Sequence, residues 1–280
     1  MWFEHRFVSF DETPIFYRHC RTKEPARAAV IIVHGMGEHG GRYTRLAGYL
    51  AGLGVESVIP DLRGFGQSGG RRACVKQFSD FHRDLDNLVL FISRTHRGTP
   101  LFLLGHSFGG LIASSYLAFC NPPKIGGLVL SSPIFGIALP IPLWRRMVAA
   151  AFSYLFPDFS QPSGVKPALL THDVALIREY ENDALIYHRV SARLYCELLA
   201  MIRRRASIAQ RISSPVLLLQ AGEDFVVSKE EALGFYDLLR ADDKELEVYG
   251  GWYHELLNEV DREKVFSRIG LWILRHLNHN

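Results

Sequence analysis

The sequence predicts an α/β domain: a mostly parallel, doubly wound sheet of eight strands with helices on both faces and a helical insertion after the sixth strand. Three observations carry this. Short runs rich in β-branched and other apolar residues alternate with segments of helical period. Several of the runs are apolar at consecutive positions, as strands buried on both faces should be. One long span has helical pattern and no convincing strand.

Taken in order, "MWFEHRFVSF" alternates, with Phe3, His5 and Phe7 on one side, and with "TPIFYRH" it predicts two antiparallel edge strands. Six further strands follow: "AAVIIVHG" (28–35), "VESVIP" (55–60), "LFLLGH" (101–106), "IGGLVLSS" (125–132), "PVLLLQAG" (215–222) and "KELEVYG" (244–250). Between and after them, "RYTRLAGYLAGLG", "FSDFHRDLDNLVLFISRTHRG", "SFGGLIASSYLAFCN", "SKEEALGFYDLLRA" and "DREKVFSRIGLWILRHLNHN" have helical spacing. Gly54 and Gly98 stand where helix stops belong, and Ser228 with Glu231 has the form of a capping box. Residues 137–206 form the insertion, a lid over the sheet's edge, between core segments 1–136 and 207–280.

Composition bounds the function. The 280 residues are 48% hydrophobic and 22% charged, as in an ordinary globular protein. A net charge of +3 is too small and too dispersed to argue for nucleic acid. The clusters Arg203-Arg204-Arg205 and Arg145-Arg146 read as solvated helix surface before any anionic-lipid site. Four cysteines, Cys20, Cys74, Cys120 and Cys196, lie far apart and suit reduced thiols in a cytoplasmic protein. The N-terminus lacks the pattern of a secretory signal. The oily stretch 134–156 carries two prolines and two arginines, against a spanning helix of about 20 nearly uninterrupted apolar residues.

The chemistry centres on Ser107. "GHSFG" boxes this serine between Gly105 and Gly109 where a strand becomes a helix. A hydroxyl on so sharp a turn needs strained backbone angles, and small residues two before and two after prevent collision of strand with helix: the G-x-S-x-G nucleophile elbow. A lone serine is a poor nucleophile and needs an imidazole, itself oriented by a carboxylate. "LLLQAGEDFVVS" supplies Asp224 past one strand and "VYGGWYHELLNE" supplies His254 past the last, the Ser, Asp, His order of an α/β-hydrolase. Glu223 rivals Asp224, which is preferred for its turn position and because Val227 can pack beneath it. His34 and His106 lie beside glycine turns near the same edge. His82, His96, His276 and His279 fall on helices or the tail and read as surface residues, while Asp242 and Asp243 precede the final strand, at its wrong end.

A tetrahedral intermediate needs donors for its oxyanion. The amide of Phe108 and that of Met36, in "VHGMGEHG" after an early strand, are the natural pair, and their side chains would be free to shape the acyl pocket. That glycine loop has neither G-x-G-x-x-G nor a P-loop ending, which argues against phosphate binding.

Together, "HGMGEHGGRY", "DLRGFGQSGG", "GHSFGG", "LTHDVALIREYENDALIYHR", "LLLQAGEDFVVS" and "YHELLNE" resemble the monoacylglycerol lipase and lysophospholipase branch of the α/β-hydrolases, which some classifications group with serine aminopeptidases. The likeness runs from about residue 2 to 277. It implies Ser107 as nucleophile, Asp224 as orienting acid, His254 as base and then acid, and Met36 with Phe108 as oxyanion donors. It also implies that Glu38, Arg42 and Tyr180 line the polar end of the site, with His106 among the substrate-facing residues; a local Glu38–Arg42 ion pair is the alternative use of those two.

Two departures stand out. Met36 is found where a small residue is common and Phe108 where methionine is usual, so the acyl channel is expected to differ. The expected reaction is hydrolysis of a monoacylglycerol or lysophospholipid ester without metal or organic cofactor, with a lid able to rest on a membrane interface. An aminopeptidase using the same triad and a non-catalytic receptor for a small ligand are the rival readings.

Overall fold

A computed structural model describes residues 1–138 and 142–277, apart from the side chains of Leu143, Arg145 and Arg146; the Arg145-Arg146 pair and His279 therefore lie outside the description. An eight-stranded sheet forms the centre. Its strands are β1 (Trp2–Val8), β2 (Pro14–Cys20), β3 (Ala28–Val33), β4 (Val55–Pro60), β5 (Leu101–His106), β6 (Gly127–Ser131), β9 (Val216–Ala221) and β10 (Lys244–Tyr249), in the order β1-β2-β4-β3-β5-β6-β9-β10. The first two pairings are antiparallel and all the others parallel. This is the α/β-hydrolase fold.

Parallel neighbours need crossovers, and helices supply them. Helices α1 (Thr44–Gly52) and α9 (Arg262–Arg275) cover one face of the sheet; α2 (Ser79–Thr95), α3 (Phe108–Phe119) and α8 (Lys229–Leu238) cover the other. Alternation along β3 divides its side chains between the two layers: Ala28, Val30 and Ile32 pack toward α1 and α9, Ala29, Ile31 and Val33 toward α2 and α3. Every residue of β3, β4, β5 and β9 is buried, which explains their largely apolar sequence; the polar exceptions are Glu56 and Ser57 in β4, His106 in β5 and Gln220 in β9.

Between β6 and β9 the chain leaves the sheet. It forms α4 (Leu143–Leu155), β7 (Ser160–Pro162), α5 (Val174–Asn182), β8 (Arg189–Ser191), α6 (Ala192–Ile202) and α7 (Arg205–Ala209).

Several expectations need correction. Of the first two strands only β1 lies at an edge of the sheet; β2 is flanked by β1 and β4. The inserted segment contains a strand pair, β7 with β8, whose three-residue members are too short to show a period. His82 and His276 are buried, not surface residues: His82 Nε2 lies 2.7 Å from Ser115 Oγ and His276 Nε2 2.9 Å from Asp243 Oδ2. Half of the capping box forms. Glu231 N donates to Ser228 Oγ at 3.2 Å, but the Glu231 carboxylate pairs with Arg205 at 2.5 Å. Gly54 and Gly98 both have positive φ just beyond their helices. All four cysteines are unpaired. Among the described residues no helix is long and apolar enough to cross a membrane.

Candidate active site

In an open α/β sheet, ligands gather at the carboxyl ends of strands where the winding reverses. Here the chain passes from β3 outward to β4 and returns across β3 to β5, so the reversal lies between β3 and β5. The loops leaving these two strands begin at His34 and Ser107.

Ser107 sits between the last residue of β5 and the first of α3, at φ 51° and ψ −114°. Few non-glycine residues adopt a positive φ, so this conformation persists because its surroundings hold it. Ser107 N donates to Ser131 O at 3.0 Å, while Ser107 O accepts from Gly110 N at 3.0 Å and Ile134 N at 3.1 Å. The flanking glycines are a steric requirement. A Cβ on Gly105 would lie 2.4 Å from Gly109 O, and one on Gly109 would lie 2.0 Å from Val33 O.

The loops after β9 and β10 bring Asp224 and His254 together, with Asp224 Oδ2 2.8 Å from His254 Nδ1. Asp224 Oδ1 accepts from Val226 N and Val227 N, each at 2.9 Å, which fixes the carboxylate and gives Val227 its part in the turn. Glu223, the rival acid, is held through its backbone by Trp252 O at 3.0 Å. Burial alone would lower the His254 pKa, but the Asp224 carboxylate outweighs it and holds the imidazole above its ordinary value. Burial likewise works against the Asp224 carboxylate, and His254 with two backbone donors lowers its pKa nonetheless.

With Nδ1 engaged, Nε2 is the ring atom left for a serine proton. Ser107 and His254 line one cavity of about 370 Å³. A direct hydroxyl–imidazole hydrogen bond is absent among the described residues; such bonds are often loose before substrate is bound.

Met36, in the loop after β3, lines the same cavity. Phe108 opens α3, so its amide is one of the first-turn donors without an intrahelical acceptor. The Phe108 ring does not shape the acyl channel as expected. It is fully buried, edge-on to Phe78 and Phe81 at 5.8 and 5.2 Å, on the core side of the elbow. Ile134, Ile137, Phe159, Val165, Leu198 and Val226 give the cavity its apolar wall.

A polar cluster adjoins the elbow. Glu38 Oε1 accepts from Gly35 N and Tyr43 Oη, both at 2.6 Å, and its Oε2 from Arg42 Nε at 2.9 Å. Arg42 also pairs with Glu255 and lies over the Tyr180 ring, 4.8 Å from its centroid. Glu38, Tyr180 and Glu255 line the cavity; Arg42 stands behind them and holds the two carboxylates. The local ion pair and the polar wall thus coexist. Burial opposes the Glu38 charge, but Arg42 and two histidines lower its pKa; for Glu255 burial prevails over Arg42 and raises it.

His106 lines the cavity with its ring 4.9 Å from that of His254 and its Nδ1 3.0 Å from Ser131 O. Burial, with His254 beside it, lowers its pKa to about 4, so it is neutral.

Sequence reasoning missed Glu255. It stands next to His254 in "YHELLNE", yet nothing in that spacing marks a carboxylate destined for an arginine 213 positions away.

The family model described as serine aminopeptidase S33 matches residues 24–261. A phospholipase of Bacillus subtilis is 30% identical over 86% of this chain and 92% of its own length. Human monoglyceride lipase is 31% identical over 95% of this chain and 88% of its own. The crystal structure of a monoacylglycerol lipase from Paleococcus ferrophilus superposes with a TM-score of 0.86 at 30% identity, covering 94% of this chain and 99% of that one. Monoacylglycerol lipases are carboxylic-ester hydrolases, and the S33 match extends over the elbow and the loops bearing Asp224 and His254. The chain therefore belongs to the serine aminopeptidase S33 family of α/β-hydrolases.

Proposed function

We propose that the protein is a serine carboxylic-ester hydrolase acting on single-chain acyl lipids, with monoacylglycerol as the preferred substrate class. The observation that carries this reading is the pairing of a strained serine elbow at φ 51° with an Asp224-oriented imidazole on the same largely apolar cavity. His254 Nε2 takes the Ser107 proton as the hydroxyl attacks the ester carbonyl. The oxyanion is met by the amides of Phe108 and Met36, and the same imidazole returns the proton to the leaving alcohol. Water activated by His254 then hydrolyses the acyl-enzyme and releases the fatty acid.

Charge separates the substrate classes. The polar wall holds two carboxylates, Glu38 and Glu255, against the single guanidinium of Arg42. A phosphate head group would approach carboxylates, whereas glycerol hydroxyls can donate to them, so monoacylglycerol is favoured over lysophospholipid. The same carboxylates are a feature that favours an aminopeptidase, which must hold a substrate ammonium. Their engagement by Arg42 weakens that reading.

Residues 137–206 act in this proposal as the cap, and the exposed side chains Met147, Tyr154 and Leu155 on α4 as the surface that meets lipid. The test is product release from a panel of monoacylglycerols, lysophospholipids and aminoacyl amides, read by mass spectrometry with Ser107→Ala beside the parent. Monoacylglycerol turnover that vanishes in the variant supports the proposal. Equal rates in both proteins, or turnover confined to amides, would overturn it.

A further inference from the structure

We propose that His19, Glu56 and His96 form a binding site for a divalent transition cation, zinc by the character of its donors, which clamps the sheet at the end opposite Ser107. His19 lies on β2, Glu56 is the second residue of β4, and His96 follows the last turn of α2. Ser107 follows the carboxyl end of β5, which runs in the same direction as β4, so the cluster belongs to the amino end of the parallel strands.

The geometry points to an ion. Both imidazoles turn Nε2 toward the same carboxylate oxygen: Glu56 Oε2 lies 3.0 Å from His19 Nε2 and 2.9 Å from His96 Nε2. All three donor atoms fall within 4.8 Å of one another. Four-coordinate zinc holds nitrogen and oxygen donors at about 2.0–2.2 Å, which places them about 3.3 Å apart, so the two oxygen–nitrogen edges need to open by a few tenths of an ångström, and the edge between the two nitrogens, within 4.8 Å, must settle to the same length as the ion enters. Two imidazoles and one carboxylate, with a fourth position for water, are a recognised zinc donor set.

Outer contacts orient two of the three ligands, as metal sites require. Glu56 Oε1 accepts from Thr22 N at 3.3 Å, which leaves Oε2 for the cluster. Thr95 Oγ1 lies 3.0 Å from His96 Nδ1. Arg21 is the one opposing group. Its Nε is 3.4 Å from His19 Nδ1 and, as a donor, favours a hydrogen on Nε2 rather than a metal. This side chain is exposed, and in the same conformation its guanidinium lies over the Phe3 ring at 5.2 Å.

Asp243, Glu245 and His276 also cluster, but Glu245 already takes both Arg268 and Arg275 and has little charge left for a cation. At the His19 site the ion would join a strand of the N-terminal hairpin to the parallel sheet and to the end of α2, a link that supports the fold and leaves the ester chemistry unchanged.

The test uses the full chain, free of any affinity tag, titrated calorimetrically with zinc chloride. One equivalent should bind, and the melting temperature should rise by about 5 °C at a hundredfold excess over the dissociation constant. Cobalt(II) at the same site should give the absorption of a tetrahedral N/O complex. His96→Ala and Glu56→Gln should each weaken zinc binding by at least about a hundredfold, more than is usual for loss of an outer partner. Arg21→Ala should tighten it, and His276→Ala should leave it unchanged. Unaltered ester hydrolysis in His96→Ala verifies that the variant is folded, and His19→Ala repeats the test from a second ligand. Absence of stoichiometric zinc binding to the parent chain overturns the proposal. So does binding that survives both histidine substitutions; the cluster is then a hydrogen-bonded network only.

Discussion

In β5 and β9 every residue is buried, whereas on α4 Tyr154 is 84% and Leu155 71% exposed, although both regions are rich in apolar side chains. The strands lie between two helical layers and have nowhere else to place their side chains. Helix α4 packs toward α6 and leaves a second apolar face outward. Burial in the sheet fixes the site's geometry; the inserted segment supplies part of the cavity's wall, including Phe159, Val165 and Leu198. The two regions meet where the chemistry is. Tyr187 N donates to Gly37 O at 2.7 Å, beside Met36, and Glu255 N donates to Leu170 O at 2.8 Å, beside His254. Displacing the segment would therefore disturb the loops that carry Met36 and His254, the proposed oxyanion donor and base.

This contrast can be broken by substitution. Ser107→Ala should reduce kcat for ester hydrolysis by about 10⁵-fold or more with an unchanged melting temperature. Asp224→Asn should reduce it by about 10⁴-fold, because the imidazole loses its orienting acceptor. The same pair sets a pH dependence. The proposed reaction needs neutral His254, whose pKa Asp224 raises, so activity should fall with acidification at a pH above the ordinary histidine value of about 6.5. In Asp224→Asn that acid limb should move to lower pH, and a limb that stays put would remove His254 from the role of base.

Effects on folding should follow the same division. Phe102→Ala, which empties a fully buried position in β5 against Trp272, should cost about 3–5 kcal/mol in denaturant unfolding. Glu255→Gln should raise KM for monoacylglycerol about tenfold, the worth of about 1.4 kcal/mol, and leave a short soluble ester nearly unaffected. The smallest change in stability is expected from Tyr154→Ser with Leu155→Ser, within about 0.5 kcal/mol. That double variant should nevertheless slow hydrolysis of vesicle-borne substrate relative to soluble ester. Equal slowing on both would deny α4 its place at the lipid surface.

The strands of the parallel sheet were legible because continuous apolar runs have one satisfactory environment. The elbow was legible because Gly105 and Gly109 relieve a local collision that any such turn must avoid. Other features were not. Polarity suggested a surface place for His82, but α2 turns this ring toward Ser115 on α3. Phe108 was expected at the acyl channel, and only the direction of α3's first turn shows its ring entering the core.

What the sequence by itself determined is the alternation of strand and helix and the identity of the strained serine, since both follow from periodicity and from sterics over a few residues. Tertiary structure alone decided that Glu255 shares Arg42 with Glu38 and that His19, Glu56 and His96 converge, and it brought Asp224, which the turn position already favoured over Glu223, against His254. Such meetings depend on which strands lie side by side, and chain spacing carries no record of that order.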